Sequence, residues 1–175
     1  LMNGWVFIDK PKNLTSAQVV RKIKKILNVK KVGHSGTLDP FATGILIIGT
    51  ENDTKNLTSI SALKKKYTAV IQLGQATDTL DIDGKIILKS SIPKLSLIEI
   101  DEVLQSFRGL SEQIPPMYSA KRYKGKRLYS LARKGIAVER TPSKVYVKMI
   151  KLISYVKSKI TFEVECSKGT YIRVL

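Results

Sequence analysis

The chain is short of the residues that carry most cofactor and metal chemistry. Its 175 residues include one cysteine, Cys166, and one histidine, His34. A lone cysteine forms no internal disulfide and supplies no cysteine metal cluster. Its alternating surroundings, Ile160-Thr161-Phe162-Glu163-Val164-Glu165-Cys166, predict a buried strand thiol. Acids are scarce too: 14 Asp and Glu stand against 31 Lys and Arg, giving a net charge of +17. That excess points to a polyanionic partner, nucleic acid first and an acidic membrane surface second. No apolar run approaches the ~20 residues that span a bilayer. Gly4–Asp9 is too short for a signal segment. Neither a Gly-x-x-x-x-Gly-Lys-Ser/Thr loop nor a Gly-x-Gly-x-x-Gly run occurs, so nucleotide hydrolysis and dinucleotide binding lose their main support. These absences predict a soluble, intracellular, basic protein with no credible ligand cluster for a metal or cofactor.

Asp78, Asp81 and Asp83 raise a calcium loop and fail it. A loop ending in Asp83-Gly84 needs oxygen ligands at 79 and 81 and a Glu at 90, where the chain has Thr79 and Ser90. A turn before a strand at Lys85–Lys89 accounts for these acids.

What is present is ordinary globular material, with 43% hydrophobic residues and a length that suits one domain. Gly4–Asp9 predicts a first strand. Thr15 or Ser16 is a plausible N-cap for a helix whose Val19, Val20, Ile23, Ile26 and Leu27 recur at helical spacing. The opposite face carries Arg21, Lys22, Lys24 and Lys25, with Lys30 and Lys31 beyond and no acid, which suits phosphate contact as well as a solvated face. Ile45–Ile48 predicts a buried strand, Glu51–Ala62 a weak helix and Lys64–Gly74 a strand. Ser96–Phe107 predicts an amphipathic helix with Leu97, Ile100, Val103, Leu104 and Phe107 on one face. Lys144–Tyr155 and Ser158–Ser167 predict an antiparallel hairpin. The fold class is α/β in the broad α+β sense, a mixed, largely antiparallel sheet with flanking helices.

Two stretches carry chemistry. Lys121–Lys134 holds seven Lys or Arg and no acid, with Tyr123 and Tyr129 interleaved and Tyr118 just before it. Cations neutralise phosphates and tyrosine rings stack on splayed bases, so Lys121, Arg122, Lys124, Lys126 and Arg127 are candidate RNA contacts. Leu128, Leu131 and Ala132 are placed to pack inward. The second stretch is Gly33-His34-Ser35-Gly36-Thr37-Leu38-Asp39-Pro40-Phe41-Ala42-Thr43-Gly44. It poises a loop on an apolar strand, with Asp39 biased toward an extended backbone by Pro40. Its chemistry alone equally allows a glycine-rich turn whose Asp bonds its own backbone.

The Gly33–Gly44 string resembles the catalytic motif of the TruB family of tRNA pseudouridine synthases. Further likenesses follow in the family's order: Lys64-Lys65-Lys66-Tyr67 leading to Leu73-Gly74, Thr77-Asp78-Thr79, Asp81 and Gly84, then the basic stretch, then Gly169-Thr170-Tyr171-Ile172-Arg173. The resemblance implies the pseudouridine synthase fold over residues 1–175, with a mobile RNA-gripping thumb at about 115–135. It implies that Asp39 is essential for catalysis, that Tyr67 stacks on the target base, that Arg173 pairs with Asp39, and that Tyr171 lines the uridine pocket. His34 and Lys10 join these as candidate substrate- or RNA-binding residues.

The reaction so implied converts uridine-55 in the T-loop of tRNA to pseudouridine. The N1–C1′ bond breaks, the base turns, and C5 joins C1′, with no redox change and no net hydrolysis. A carboxylate serves by attacking C1′ or by removing a C2′ proton, and the sequence leaves both routes open. Either route needs Asp39 ionised, which a neighbouring guanidinium favours. The expected partner is the T-arm of tRNA, and the expected state is a monomer in the cytoplasm, or in an organelle if a targeting segment has been removed. Two alternatives stand beside this: a non-catalytic tRNA-binding or folding fragment, and a catalytic subunit directed by a guide RNA. Leu1 precedes Met2, and the family's later pocket segment and C-terminal extension would lie beyond Leu175, so the chain reads as a fragment.

Overall fold

A computed structural model describes residues 3–175. The chain forms two compact units, Leu1–Leu63 and Lys64–Leu175.

The first unit is a three-stranded antiparallel sheet covered on one face by a helix. Strand β1 (Gly4–Lys10) pairs with β3 (Gly44–Thr50), which pairs on its other side with β2 (Val32–His34). Helix α1 (Ser16–Leu27) starts at Thr15, whose hydroxyl accepts the Gln18 amide N–H while the Gln18 side chain returns to the Thr15 amide. This reciprocal cap satisfies two of the donors a helix start leaves unpaired. Val19 packs on Leu46 and Ile48, with Val6, Ile8, Val20 and Ile23 around them. The register sets that face, since Val6 lies opposite Ile48 and Ile8 opposite Leu46. Ile45 departs from the expected buried strand. It is 73% exposed, as Phe7 is at 69%, because α1 covers only one face of the sheet and alternate residues point to the other. After β3 the chain makes a 3-10 turn (Glu51–Asn56) and a short helix, α2 (Leu57–Ala62), where one weak helix is expected.

The second unit is built on a four-stranded antiparallel sheet in the order β4 (Lys65–Gln72), β11 (Lys159–Cys166), β10 (Ser143–Val156), β7 (Gly109–Gln113). The predicted late hairpin is β10 and β11, closed by Lys157 and Ser158, with Lys157 at φ 57°. Helix α3 (Leu97–Ser106) lies on β10 and is capped by Ser96 and Glu99 in the same reciprocal way as α1. Its inward stripe is narrower than the sequence pattern predicts: Ile100 and Leu104 are buried, while Leu97, Val103 and Phe107 are exposed. A ten-residue helix crossing a sheet touches it along one i, i+4 line, which here is that pair. Ile100 and Leu104 join Val147, Ile150, Ile160, Phe162, Val164 and Cys166 in the core. Cys166 is 1% exposed, as its alternating context predicts, and burial pushes its thiol above the ordinary value. A small hairpin, β5 (Gln75–Thr77) and β6 (Ile86–Lys89), and a second one, β8 (Arg122–Tyr123) and β9 (Lys126–Arg127), project from this unit's connections. Helix α4 (Leu128–Ala132) follows β9.

Phe162→Ala is expected to lower the unfolding free energy by about 3–5 kcal/mol in urea titrations, because it empties a core site. Phe7→Ala, at an exposed site, should cost less than about 1 kcal/mol by the same measurement.

Candidate active site

In the first unit the loop bearing Asp39 leaves β2 and returns to β3, two adjacent strands. Gly33 lies opposite Gly49 and His34 opposite Ile48, and the Ser35 amide extends the ladder by donating to the Ile47 carbonyl. A Cβ at Gly33 would come within 2.6 Å of Leu57 Cδ1, so any larger residue there would displace the end of the Leu57 side chain. Gly44, where the loop rejoins β3, sits at φ +113°, a region closed to most side chains. His34 Nδ1 lies 2.8 Å from the Gly36 carbonyl, so the proton on that nitrogen is committed inside the loop.

Both neighbours of Asp39 are pinned. On the N-terminal side, the Ser16 hydroxyl accepts the Leu38 amide at 3.0 Å and lies 3.2 Å from the Leu38 carbonyl. Ser16 is the first residue of α1 and is 1% exposed. On the C-terminal side, the Pro40 carbonyl accepts the Asn13 amide at 2.8 Å and the Lys10 ammonium at 3.2 Å. The same ammonium donates to the carbonyls of Pro11 at 2.9 Å and Leu14 at 2.7 Å. Within the loop the Ala42 amide closes a turn onto the Asp39 carbonyl, and Asp9 accepts the Gly44 amide. Asp39 is half-buried on a segment whose backbone is set by groups on β1 and α1.

Lys10 is therefore corrected. Expected as an RNA contact, it is fully buried, with its three N–H donors spent on main-chain carbonyls. Burial pushes its amine below the ordinary lysine value, and the negative charge of Asp39 opposes that shift. It is a strut beneath the Asp39 loop.

In the second unit Tyr67 lies on β4 opposite Val164, half-buried and packed against the core. Arg173 is engaged by three groups of this unit. Its Nη1 donates to the Thr79 carbonyl at 3.0 Å and lies 3.4 Å from Asp81 Oδ2, while Nη2 donates to the Tyr118 carbonyl at 2.8 Å. The side chains of Arg173 and Asp81 are 7% and 9% exposed. Asp81 also accepts the Thr79 hydroxyl at 2.6 Å and the Asp83 amide at 3.0 Å. Asp78 accepts the Lys85 amide, and Gly84 is required because a Cβ would fall 2.2 Å from the Thr79 hydroxyl. The turn that accounts for the three acids is thus real, but Asp81 does more than close it. Asp81 was legible in the sequence as a turn acid, but its pairing with Arg173 was not. The available signal was three acids in six residues of a chain where acids are rare. Tyr171 is fixed through its main chain, where its amide donates to Gln113 Oε1 at 2.9 Å and its carbonyl accepts Gln113 Nε2 at 3.3 Å.

The basic stretch is folded rather than a bare loop. Lys124 and Gly125, at φ 46° and 80°, make a two-residue turn joining β8 to β9. Leu128 and Leu131 of α4 are buried, as their spacing predicts. Lys121, Arg122, Lys124, Lys126 and Arg127 are all exposed. Lys121 reaches the Ser143 hydroxyl and Arg127 the Ala120 carbonyl, while the Lys124 ammonium lies 5.6 Å from the Tyr123 ring centre. Among the described residues no group of His, Cys, Asp and Glu is arranged to hold a metal ion.

One unit thus carries a clamped loop aspartate on an antiparallel sheet, and the other carries an enclosed arginine and a basic, tyrosine-bearing hairpin. Residues 24–172 match the family model described as TruB family pseudouridylate synthase (N terminal domain), and the chain belongs to that family. It is 48% identical over 174 residues to the tRNA pseudouridine synthase B of Clostridium tetani, and 44% identical over 174 residues to that of Endomicrobium trichonymphae. Those alignments cover 99% of this chain and 60% and 76% of the two relatives, so the chain spans about 60% of the first. Among solved structures it resembles a chain of a Cbf5-Nop10-Gar1 complex at TM-score 0.70 and 29% identity, covering 98% of this chain and 41% of that one. It also resembles a chain of an H/ACA RNP bound to a substrate RNA containing 2′-deoxyuridine, at TM-score 0.67 and 27% identity, covering 98% and 40%. The fold is that of the pseudouridine synthases.

Lys10→Met leaves the Pro11, Leu14 and Pro40 carbonyls without this donor. It is expected to cost about 1–3 kcal/mol of stability, read from urea unfolding followed by circular dichroism. Stability equal to wild type would mean that the strut contributes nothing.

Proposed function

We propose that this chain carries the catalytic machinery of a tRNA pseudouridine synthase acting on uridine-55 of the T-arm, with residues 1–175 as the catalytic domain and about 115–135 as its RNA-gripping thumb. The observation that carries the reading is the double clamp on Leu38 and Pro40, which presents a half-buried carboxylate at a fixed place within the family motif. Such fixing is what a reaction on one sugar carbon requires, since a positioned group converts part of the barrier into binding.

Asp39 is the acting group, as nucleophile at C1′ or as base at C2′. In either route the base leaves C1′ through N1 and rejoins it through C5, and the proton lost from C5 is balanced by one gained at N1, so the reaction needs no oxidant, reductant or net water. Arg173 is assigned the charge partner of Asp39. Its guanidinium is held by two carbonyls and Asp81, so its orientation does not depend on substrate. Tyr67 is assigned the face on which the base stacks, and Tyr171 and His34 the lining of the uridine pocket. Gly36 lacks a left-handed φ, and a Cβ placed on it would meet nothing within 4 Å, which supports a role in leaving room for a flipped nucleotide. Flipping costs a few kcal/mol, which the exposed cations and tyrosines of the thumb offset through phosphate and stacking contacts. The protein so read acts as a monomer in the cytoplasm.

The guide-RNA alternative rests on the solved neighbours, one of them described as an H/ACA RNP. The higher identity to proteins named tRNA pseudouridine synthase B favours direct action on tRNA. A bare tRNA transcript, with no second RNA, separates the two. Mass-spectrometric mapping is expected to find pseudouridine at position 55 with wild type and none with Asp39→Asn, while transcript binding by the variant stays within about threefold. Product from Asp39→Asn would overturn the assignment. For Arg173→Lys the single-turnover rate is expected to fall about 10- to 100-fold, the loss of a charge-assisted hydrogen bond.

A further inference from the structure

The basic face of α1 takes no part in the chemistry just assigned. Residues 10–38 contain no acid, yet hold Lys10, Lys12, Arg21, Lys22, Lys24, Lys25, Lys30 and Lys31. Lys10 is consumed inside the fold, whereas the other seven are exposed. On a helix of 3.6 residues per turn, Arg21 and Lys25 stand one above the other, with Lys22 and Lys24 to either side. Together they form a single outward strip opposite the buried Ser16 and Val19.

Three ordinary explanations fall short. Cations in the last turn complement a helix dipole, which accounts for Lys24 and Lys25 but not for Arg21, Lys22, Lys30 or Lys31. Local neutralisation is the second. Glu51, the acid that meets the end of the strip, is turned inward, where its carboxylate accepts the Lys30 amide and its own amide donates to the Lys31 carbonyl. It engages the backbone there and leaves both ammonium groups in water. Helix propensity is the third, and like charges at i, i+3 and i+4 work against it by a few tenths of a kcal/mol per pair. Lys and Arg are good helix formers, but neutral Ala and Gln serve as well without the repulsion.

The geometry is also steady. Asn28 at φ 48° ends the helix, and the Val29 amide reaches back to the Lys24 carbonyl, so Lys30 and Lys31 continue the strip at a fixed turn. At the other end Ser16 ties α1 to Leu38 beside Asp39. The strip therefore has a set position relative to the motif loop of the same unit.

We propose that the outward strip Arg21, Lys22, Lys24 and Lys25, continued by Lys30 and Lys31, is a phosphate-docking surface for the backbone of the RNA substrate, supplying affinity and register but no chemistry. This rests on the reading of the chain as an RNA-acting enzyme. A phosphate chain is the fitting partner because the strip offers point charges in a row, with no aromatic ring among them to read bases.

The test compares two charge-matched variants of the chain. One carries Arg21→Gln, Lys22→Gln, Lys24→Gln and Lys25→Gln, and the other carries Lys89→Gln, Lys94→Gln, Lys157→Gln and Lys159→Gln, all exposed in the second unit. Binding of a tRNA transcript is titrated at several salt concentrations, and circular dichroism melting checks that each variant folds. The α1 variant is expected to raise Kd about tenfold or more near 0.1 M salt and to lower the salt slope by about 2–3. The rate at saturating RNA should be unchanged. The control should stay within about twofold of wild type. Equal weakening by both variants would reduce the effect to net charge and overturn the proposal. So would an α1 variant with unaltered Kd and slope. Because binding is read directly, an absence of pseudouridine with wild type would defeat the enzymatic reading while leaving this comparison decisive.

Discussion

The first unit hangs on a buried ammonium. Lys10 ends β1, and its nitrogen sits among the carbonyls of Pro11, Leu14 and Pro40, one for each of its three protons. Removing a cation from water is costly unless every donor finds a partner, and here each does. The bonds reach the turn after β1, the approach to α1 and the loop beyond Asp39. One side chain thus sets the spacing of three segments that the chain visits at different times. Ser16 supplies the matching hold on Leu38, and its own place is fixed by the Thr15–Gln18 cap. The backbone position of Asp39 is inherited from strand register and helix start.

The second unit uses the same device with a different cation. Arg173 lies 94 residues from Thr79 and 55 from Tyr118, and binds the main-chain carbonyls of both. Asp81 adds a carboxylate, itself steadied by the Thr79 hydroxyl and the Asp83 amide. Two residues earlier, Gln113 clamps both sides of the Tyr171 main chain with one amide group. A guanidinium suits such a setting better than an ammonium because its donors leave in a planar fork with fixed directions. In each unit, then, a polar group held by distant backbone aims a residue of the family motifs.

Local features were the legible part of this chain. The capping residue Thr15, the late hairpin, the buried Cys166 and the inward Leu128 and Leu131 all follow from spacing within a few residues. Asp39 was visible too, because its loop is unusual in composition and lies in a recognisable string. What escaped was set by packing between remote segments. Lys10 looks like any exposed lysine beside a proline until Leu14 and Pro40 are brought around it. Asp81 looks like a turn acid until Arg173 arrives from the far end of the chain. The exposed Ile45, Leu97, Val103 and Phe107 fail for a related reason: periodicity tells which residues could share a face, not how wide a face the neighbouring element covers.

The distribution of the few acids gives the charge its meaning. Asp9 binds the Gly44 amide, Glu51 the Lys30 amide, Asp78 the Lys85 amide, and Glu99 the Ser96 cap. Asp81 serves Arg173, and Glu163 and Glu165 pair with Lys66 and Lys148 on the main sheet. Acids so engaged hold turns, caps and strands in place, and none of them lies within residues 10–38 or 121–134. A net charge of +17 is therefore not diluted evenly. It is concentrated where acids are missing from the sequence, along α1 and along Lys121–Lys134. Repulsion within such strips opposes the folded state, and a polyanion laid along them removes it. On the reading proposed above, binding RNA and relieving that repulsion are the same event.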